Sequence, residues 1–326
     1  MSQAIYTVGE GWHDLGVVPF GPIPITPAAS VLHYGQEMFE GTKAFLREDG
    51  TLWMFRPDMN LLRAKDTCFR VDLPDIPDEL FMNAMVEGLK ANADWIPTKP
   101  GTAMYLRPVM FASEPVIGVR AANEYMFFVL YSPTGSYYGN GQLVPSRIYV
   151  ESKYSRAADG GTGYVKTSGN YAAAMRSEMD AIAKGYQQVL WTDSATHTYA
   201  EEIGTSNAFF VIDGVVITPP TSTGTILPGI TRDSCLTLLH DWNVPVEERK
   251  ITVQEISDAY DKGTLEEIFS TGTAAIVSPI GQLDWDDKQM IVKNQCGPVA
   301  KRLYDTLDAI RLGKAPDPHN WMYQVK

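Results

Sequence analysis

The stretch Asp159–Met175, "DGGTGYVKTSGNYAAAM", decides how the rest of this chain is read. Gly160, Gly161 and Gly163 lead to a Lys-Thr pair, and a helical pattern follows. A nucleotide-binding loop has glycine directly before its lysine, because its backbone N–H groups turn inward around phosphates. Here that position is Val165, whose branched Cβ resists the positive φ that glycine adopts freely. The mismatch argues against a nucleotide loop and leaves a lysine presented for its amine. Tyr171, Met175, Met179 and Ile182 share one helical face, and Gly185 can end the helix. Lys166 thus stands just upstream of a helix start, with Ser168 or Asn170 as candidate cap.

The chain has 326 residues, 44% hydrophobic and 20% charged, which suits one large or two ordinary globular domains. A net charge of −12 disfavours nucleic acid and anionic membranes as partners. Cys68, Cys235 and Cys296 are widely separated and match neither a disulfide framework nor zinc spacing, as expected of a reducing compartment such as the cytoplasm. The first residues, "MSQAIYTVGEGWHDLG", show no targeting pattern, and no apolar run approaches a membrane span.

Before Lys166, "GTKAFLREDGTLWMF" predicts a hairpin closed at Asp49-Gly50. "PDMNLLRAKDTCFRVD" and "PDELFMNAMVEGLKANADW" predict helices, the second with Leu80, Met85 and Leu89 at near-helical spacing. "TAMYLRPVMF" and "EYMFFVLYSP" predict strands, the second apolar enough for burial on both faces. The Gly/Ser-rich "TGSYYGNGQLVP" marks the domain boundary. This gives an α+β chain with a smaller domain over 1–134, a flexible loop over 135–145 and a larger domain over 146–326. Beyond it come strands at "SRIYVESKY" and "QQVLWTD", a hairpin at Asp213-Gly214, and a turn feeding a helix at "LPGITRDSCLTLLHDW". "LEEIFSTGTAAIVSPI" predicts strand, small-residue turn and strand, and "CGPVAKRLYDTLDAIRLGK" a final helix.

Four segments look unusual for scaffold. Lys166 lies among small residues, and "YAEEIGTSN" pairs carboxylates with glycine between two strands. "LPGIT" and "STGTAA" set glycine beside threonine at element starts, where N–H groups can bind an anion. Singly, each has a plainer reading as surface charge, solvated face or turn. Together they supply an amine for an aldehyde, a carboxylate for a ring nitrogen and donors for a phosphate, the needs of pyridoxal 5'-phosphate.

The ordered segments "LHYGQEMFEGTKAF", "FRPDMNLLR", "YLRPVMF", "GGTGYVKTSGNY", "EEIGTSN", "LPGITR" and "GTA" resemble the successive motifs of the branched-chain amino acid aminotransferases. The resemblance runs from about Trp12 to the C-terminal helix. It implies the type IV fold of pyridoxal-phosphate enzymes, an obligate homodimer or higher homo-oligomer, and amino transfer between Leu, Ile or Val and 2-oxoglutarate. By resemblance, Lys166 holds the cofactor covalently and acts as general base and acid once freed. Glu202, chosen over Glu201 for its place directly before "IGTSN", faces the pyridine nitrogen. Tyr171 meets the ring hydroxyl, and Leu227 lies against the ring. Arg56, Ile230, Thr231 and Thr273 serve the phosphate. Tyr34, Phe39, Tyr105 and Tyr137 wall the substrate pocket, and Arg107 admits the distal carboxylate of glutamate. Thr273 and Ala274 meet the α-carboxylate. The plainer reading of the tyrosines is core packing, whereas an arginine in an apolar strand demands a partner.

Vertebrate members carry a Cys-x-x-Cys pair after the "GTA" turn, where this chain has Ala275 and Ser278, so a thiol switch of that kind is not expected. A D-amino acid aminotransferase or an aminodeoxychorismate lyase would share Lys166 and Glu202, but "YLRP" with "HYGQEMFEG" favours the branched-chain reading. A kinase is opposed by Val165, and a silent binding protein by the full set of cofactor-contact types.

Overall fold

The computed structural model describes residues 1–99, 101–135 and 143–326. The chain divides into two compact units of mixed helix and sheet. The first comprises Met1–Ser136, Val165–Gly169 and Ile310–Lys326, and the second Tyr137–Tyr164 and Asn170–Ala309. A single cut within 135–145 therefore does not reproduce the units, because Val165–Gly169 and Ile310–Lys326 go with the first. Residues 136–142 of that expected loop lie outside the described residues.

The first unit is built on an eight-stranded sheet. Its strands run in the order Met322–Val325, Leu52–Phe55, Thr42–Leu46, Ala103–Ala112, Glu124–Thr134, Ser2–Thr7 and Gly11–Val17, with Glu37–Phe39 also on Ala103–Ala112. The hairpin at Asp49-Gly50 forms: Arg47 N–H donates to Thr51 O at 2.9 Å, and Gly50 takes the left-handed conformation the turn needs (φ 78°). Helices Pro57–Arg70 and Asp78–Ala91 follow, and Leu80, Met85 and Leu89 are buried as their spacing predicts. Gly88 sits on the same buried face because a Cβ there would fall 2.0 Å from the Tyr131 hydroxyl, which donates to Ala84 O at 2.6 Å.

Burial of Glu124–Thr134 on both faces is not what the structure shows. Tyr125, Phe127 and Val129 are buried, while Met126, Phe128 and Leu130 are half-buried. Its neighbours are antiparallel, and the helix Asp78–Ala91 covers one face of the strand.

In the second unit six strands close into a barrel. Ala200–Ile203, Gln188–Thr192, Ser146–Val150, Ile276–Trp285, Leu265–Gly272 and Ser206–Ile212 pair in that order, and the last returns to the first through Glu202↔Asn207. The hairpin at Asp213-Gly214 has positive φ at both residues, 49° and 73°, as a two-residue type I′ turn requires. The helix Ser168–Ala183 presents Met175, Met179 and Ile182 outward, 56–61% exposed. Its buried face is instead Asn170, Ala174, Ser177 and Ala181, whose small side chains let it lie close to Val189 and Trp191. Asn170 is no cap: it lies within the first turn and pairs twice with Thr162, each bond 2.7 Å.

Several elements carried weaker sequence signals. The strands Ser2–Thr7, Gly11–Val17 and Met322–Val325 were not expected, nor was the helix Val253–Asp261. That helix begins with a Thr-x-x-Glu box, in which Thr252 Oγ1 accepts the N–H of Glu255 at 2.9 Å.

Candidate active site

In the first unit, Lys166 is held through its backbone from two sides. Its N–H donates to Thr67 Oγ1 at 3.0 Å, on the helix Pro57–Arg70. Its carbonyl accepts the N–H of Phe39 at 3.1 Å, and the next residue, Thr167, donates to Glu37 O at 2.7 Å. The side chain carries the amine to 4.8 Å from the centre of the Phe39 ring. Burial of the amine, followed by the Arg63 guanidinium, pushes its pKa down to about 8, against the opposing pull of Glu40.

Glu40 is fully buried and grips Arg63 with both oxygens, at 2.8 and 2.9 Å. Burial disfavours its charge, but the Arg63 guanidinium, then the Lys166 amine and the Asn60 amide, outweigh that and hold its carboxyl below the ordinary value. Tyr105 and Arg107 share one face of the strand Ala103–Ala112. Arg107 Nη2 donates to Tyr105 Oη at 2.9 Å, and the guanidinium stacks 4.9 Å from Phe39 and 5.2 Å from Tyr105. Arg107 Nε is buried and, among the described residues, has no hydrogen-bond partner. A donor left so is costly unless a ligand completes it.

The structure therefore brings together Phe39, Tyr105, Arg107 and Lys166. Tyr34 stands apart: it ends the helix Ser30–Tyr34, is 41% exposed, and its ring meets His33. Tyr137 lies outside the described residues. Arg56 precedes the helix Pro57–Arg70 in a left-handed conformation (φ 47°), which is costly for an arginine and is held by its N–H to Trp321 O at 2.8 Å. Its guanidinium lies 5.5 Å from the Trp321 ring.

The second unit holds the remaining residues. Glu202 Oε1 accepts the N–H of Leu227 at 3.0 Å and the Asn207 amide at 3.2 Å, while Arg156 Nε stands 3.1 Å from Oε2. The Arg156 N–H is not aligned on that oxygen, so this contact is an ion pair without a hydrogen bond. Asn207 also donates to Leu227 O at 2.8 Å, so Leu227 is fixed through both its N–H and its carbonyl beside the carboxylate. This closeness depends on Gly229, where a Cβ would fall 1.9 Å from Asn207 Oδ1. Ile230 and Thr231 are the first two residues of the helix Ile230–Asp241, both buried, at the end where N–H groups lack intrahelical partners. Thr273 and Ala274 form the turn between Leu265–Gly272 and Ile276–Trp285, and Tyr171 is half-buried in the first turn of its helix.

Glu201 and Glu202 lie side by side in the strand Ala200–Ile203, where the pairing with Gln188–Thr192 shifts register between Ala200 and Ile203, and they take different hydrogen-bond partners. Glu201 accepts from Thr225 Oγ1 at 2.6 Å, and burial raises its pKa. A cavity of about 580 Å³ opens on its side, lined also by Asp193, Tyr199 and Lys250, and contains none of the site residues singled out in sequence.

Sequence reasoning missed Glu40, Arg63, Thr67, Arg156 and Asn207. Each is a buried or half-buried polar group whose partner is remote in sequence. The one visible signal was Glu40 and Arg63 within apolar surroundings in "MFEG" and "NLLR".

Residues 37–283 match the family model for class IV amino-transferases. The chain is 44% identical over 321 residues to the branched-chain-amino-acid transaminase 1 of Bacillus subtilis (strain 168), covering 98% of this chain and 90% of that protein. Among solved structures, it is similar to the branched-chain aminotransferase from the thermophilic archaeon Thermoproteus uzoniensis with norvaline, with TM-score 0.81, 27% identity and 100% of both chains covered. The branched-chain amino acid aminotransferase of T.th. with pyridoxamine 5'-phosphate gives TM-score 0.80 at 26% identity, covering 100% of this chain and 99% of that one.

Proposed function

The chain belongs to the class IV aminotransferases and, among them, to the branched-chain aminotransferases, and from that premise we propose a role for each part of its site. It is a transaminase of branched-chain amino acids that works with pyridoxal 5'-phosphate. The donor set fits that cofactor. An amine with its pKa at about 8 is unprotonated often enough to attack an aldehyde near neutral pH. A buried carboxylate, Glu202, suits a protonated ring nitrogen, and the start of the helix Ile230–Asp241 suits a phosphate.

When bound, the cofactor supplies the electron sink that a carbanion at the substrate Cα needs. Lys166 would hold it, and Lys166 Nζ takes the proton from substrate Cα and later returns one. Glu202 would keep a proton on the ring nitrogen, with Arg156 and Asn207 fixing the carboxylate. Leu227 would bear on the ring, Tyr171 on its hydroxyl, and Arg56, Ile230, Thr231 and Thr273 on the phosphate.

Phe39 and Tyr105 would line the side-chain pocket. Arg107 gives that pocket its second substrate, 2-oxoglutarate, by pairing with the distal carboxylate, and its unpartnered Nε supports this. Thr273 and Ala274 would meet the α-carboxylate. A homo-oligomer is supported by apolar surface on the helix Pro57–Arg70, where Leu62 is 54% and Phe69 87% exposed. Among the described residues no helix is long and apolar enough to cross a membrane. A cytoplasmic location is supported by three free cysteines.

The observation that carries the reading is the burial of the Lys166 amine beside Arg63 and Glu40. Borohydride reduction of the protein with pyridoxal phosphate should fix one added mass on the peptide containing Lys166, and Lys166→Ala should lose both that mass and turnover. Label on another lysine would move the site.

A further inference from the structure

The buried Glu40–Arg63 pair is given no contact with cofactor or substrate above, yet it joins the two elements that hold the Lys166 backbone. Glu40 follows Phe39, whose N–H holds the Lys166 carbonyl at 3.1 Å. Arg63 O accepts the Thr67 hydroxyl at 2.9 Å, and that same hydroxyl accepts the Lys166 N–H at 3.0 Å. Asn60 Nδ2 and the Gly41 N–H complete the carboxylate at 2.7 and 3.1 Å. Buried ion pairs contribute little net stability, because desolvation offsets their attraction, so a role in stability alone explains this one poorly.

We propose that Glu40 and Arg63 are positioning residues for Lys166: their ion pair joins the two elements that hold its backbone and sets opposite charges beside its amine. The proposal rests on Lys166 as the reacting amine. The charged and titratable groups facing that amine are Glu40, Arg63 on the helix Pro57–Arg70, and Tyr105 and Arg107 on the strand Ala103–Ala112. Glu37, on the neighbouring strand, has its carboxyl raised by burial and lowered in part by Arg107. Arg63 disfavours the protonated amine and Glu40 favours it, so removing either unbalances the other.

The two removals must therefore act in opposite directions. Glu40→Gln leaves the guanidinium uncompensated, and the Lys166 titration midpoint should fall by about one unit. Arg63→Gln should raise it, and Arg63→Lys, which keeps the charge, should leave it near the wild-type value. A pair that merely supports the fold would move both variants the same way or not at all.

The test is competitive acetylation of Lys166 across pH in the full-length protein stripped of cofactor, read by peptide mass. The pH midpoint of the holoenzyme's visible absorption is followed in parallel. Opposite shifts for Glu40→Gln and Arg63→Gln support the proposal, and shifts of one sign, or none, overturn it. If Arg63→Gln does not fold, Glu40→Gln and Arg63→Lys decide: a fall in the first with no change in the second supports it, and any other pattern overturns it. Because acetylation reads the amine without cofactor, borohydride label on a different lysine would refute the cofactor role while leaving this measurement intact.

Discussion

The hydroxyl of Thr67 accepts the backbone N–H of Lys166 at 3.0 Å, across 99 positions of chain. Thr67 is fully buried, so removing its hydroxyl takes this bond away in a place closed to water. Thr67→Val keeps the volume and loses the acceptor, which should cost about 1–3 kcal/mol in stability. A loosened Lys166 should lower kcat more than it raises KM, and Thr67→Ser should restore both. Denaturant melts with steady-state rates check this; an unchanged kcat would show that Lys166 needs no such anchor.

Glu202 and Glu201 are neighbours in sequence with different hydrogen-bond partners. Glu202 touches Leu227, Asn207 and Arg156, whereas Glu201 bonds Thr225 beside a separate cavity. Glu202→Gln keeps an acceptor for Leu227 but gives up the charge, so kcat should drop by at least about tenfold with KM changed far less. Glu201→Gln should leave turnover within about twofold, since its carboxyl bonds the Thr225 hydroxyl, which an amide oxygen can also accept, and not Leu227 or Asn207. Turnover of the two variants side by side separates them, and the reverse order would assign the ring nitrogen to Glu201.

The sequence disclosed what depends on local pattern. Turn pairs at Asp49-Gly50 and Asp213-Gly214 and the spacing of Leu80, Met85 and Leu89 were readable because their causes lie within a few residues. The helix after Lys166 was readable as a helix, but not its orientation: Ala174, Ser177 and Ala181 are buried because Trp191 needs a close neighbour, a tertiary fact. Ring closure of the barrel at Glu202↔Asn207, the Arg156 ion pair and the Thr67 bond to Lys166 join remote positions, and a single sequence carries no register for them. Candidate site residues were named by resemblance; their local partners came only from the structure.

Asp193 ties down the turn before the strand Ala200–Ile203. Its two oxygens accept the N–H groups of Thr196, Thr198 and Tyr199, each at 2.8 Å. Burial alone would raise its pKa, but bonds from Tyr199, Thr196 and Thr198 outweigh it and hold the carboxyl at about 2, below its ordinary 3.8. A depressed carboxyl adds stability that is present above 3.8 and lost as pH falls through about 2. Asp193→Ala should cost about 1–3 kcal/mol at pH 7, and urea melts should show the gap from wild type narrowing as pH drops below 4. A gap that widens in acid would mean the turn does not rely on the ionised form.

Oxidation should leave activity largely unchanged. Burial, chiefly, pushes the Cys68 thiol up to about 12, which removes the reactive thiolate, and Cys235 is buried. Cys296 is exposed, but its thiol too is raised by its surroundings. Ala275 and Ser278 cannot form the paired thiols that their positions hold in vertebrate members. Peroxide treatment followed by activity assay should show little loss, whereas inactivation reversed by a dithiol would reveal a thiol switch.

Arg107 tests the dual-substrate pocket. One set of walls must accept leucine in one half-reaction and glutamate in the other, although the first side chain is apolar and the second charged. In the proposed role the guanidinium serves both tasks: Phe39 and Tyr105 stack on it, Tyr105 Oη takes one N–H, and the buried Nε, without a hydrogen-bond partner among the described residues, would meet a carboxylate. With leucine bound, the stacked rings shield the charge from the apolar chain. With glutamate bound, a charge-assisted contact would form, worth about 1.5–3 kcal/mol. Arg107→Met should therefore slow the glutamate and 2-oxoglutarate half-reactions by about tenfold or more while affecting leucine much less. Single-turnover rates with each amino donor read the halves separately. Equal losses would mean that Arg107 supports Phe39 and Tyr105 rather than the carboxylate, and the recognition of glutamate would have to lie elsewhere in the pocket.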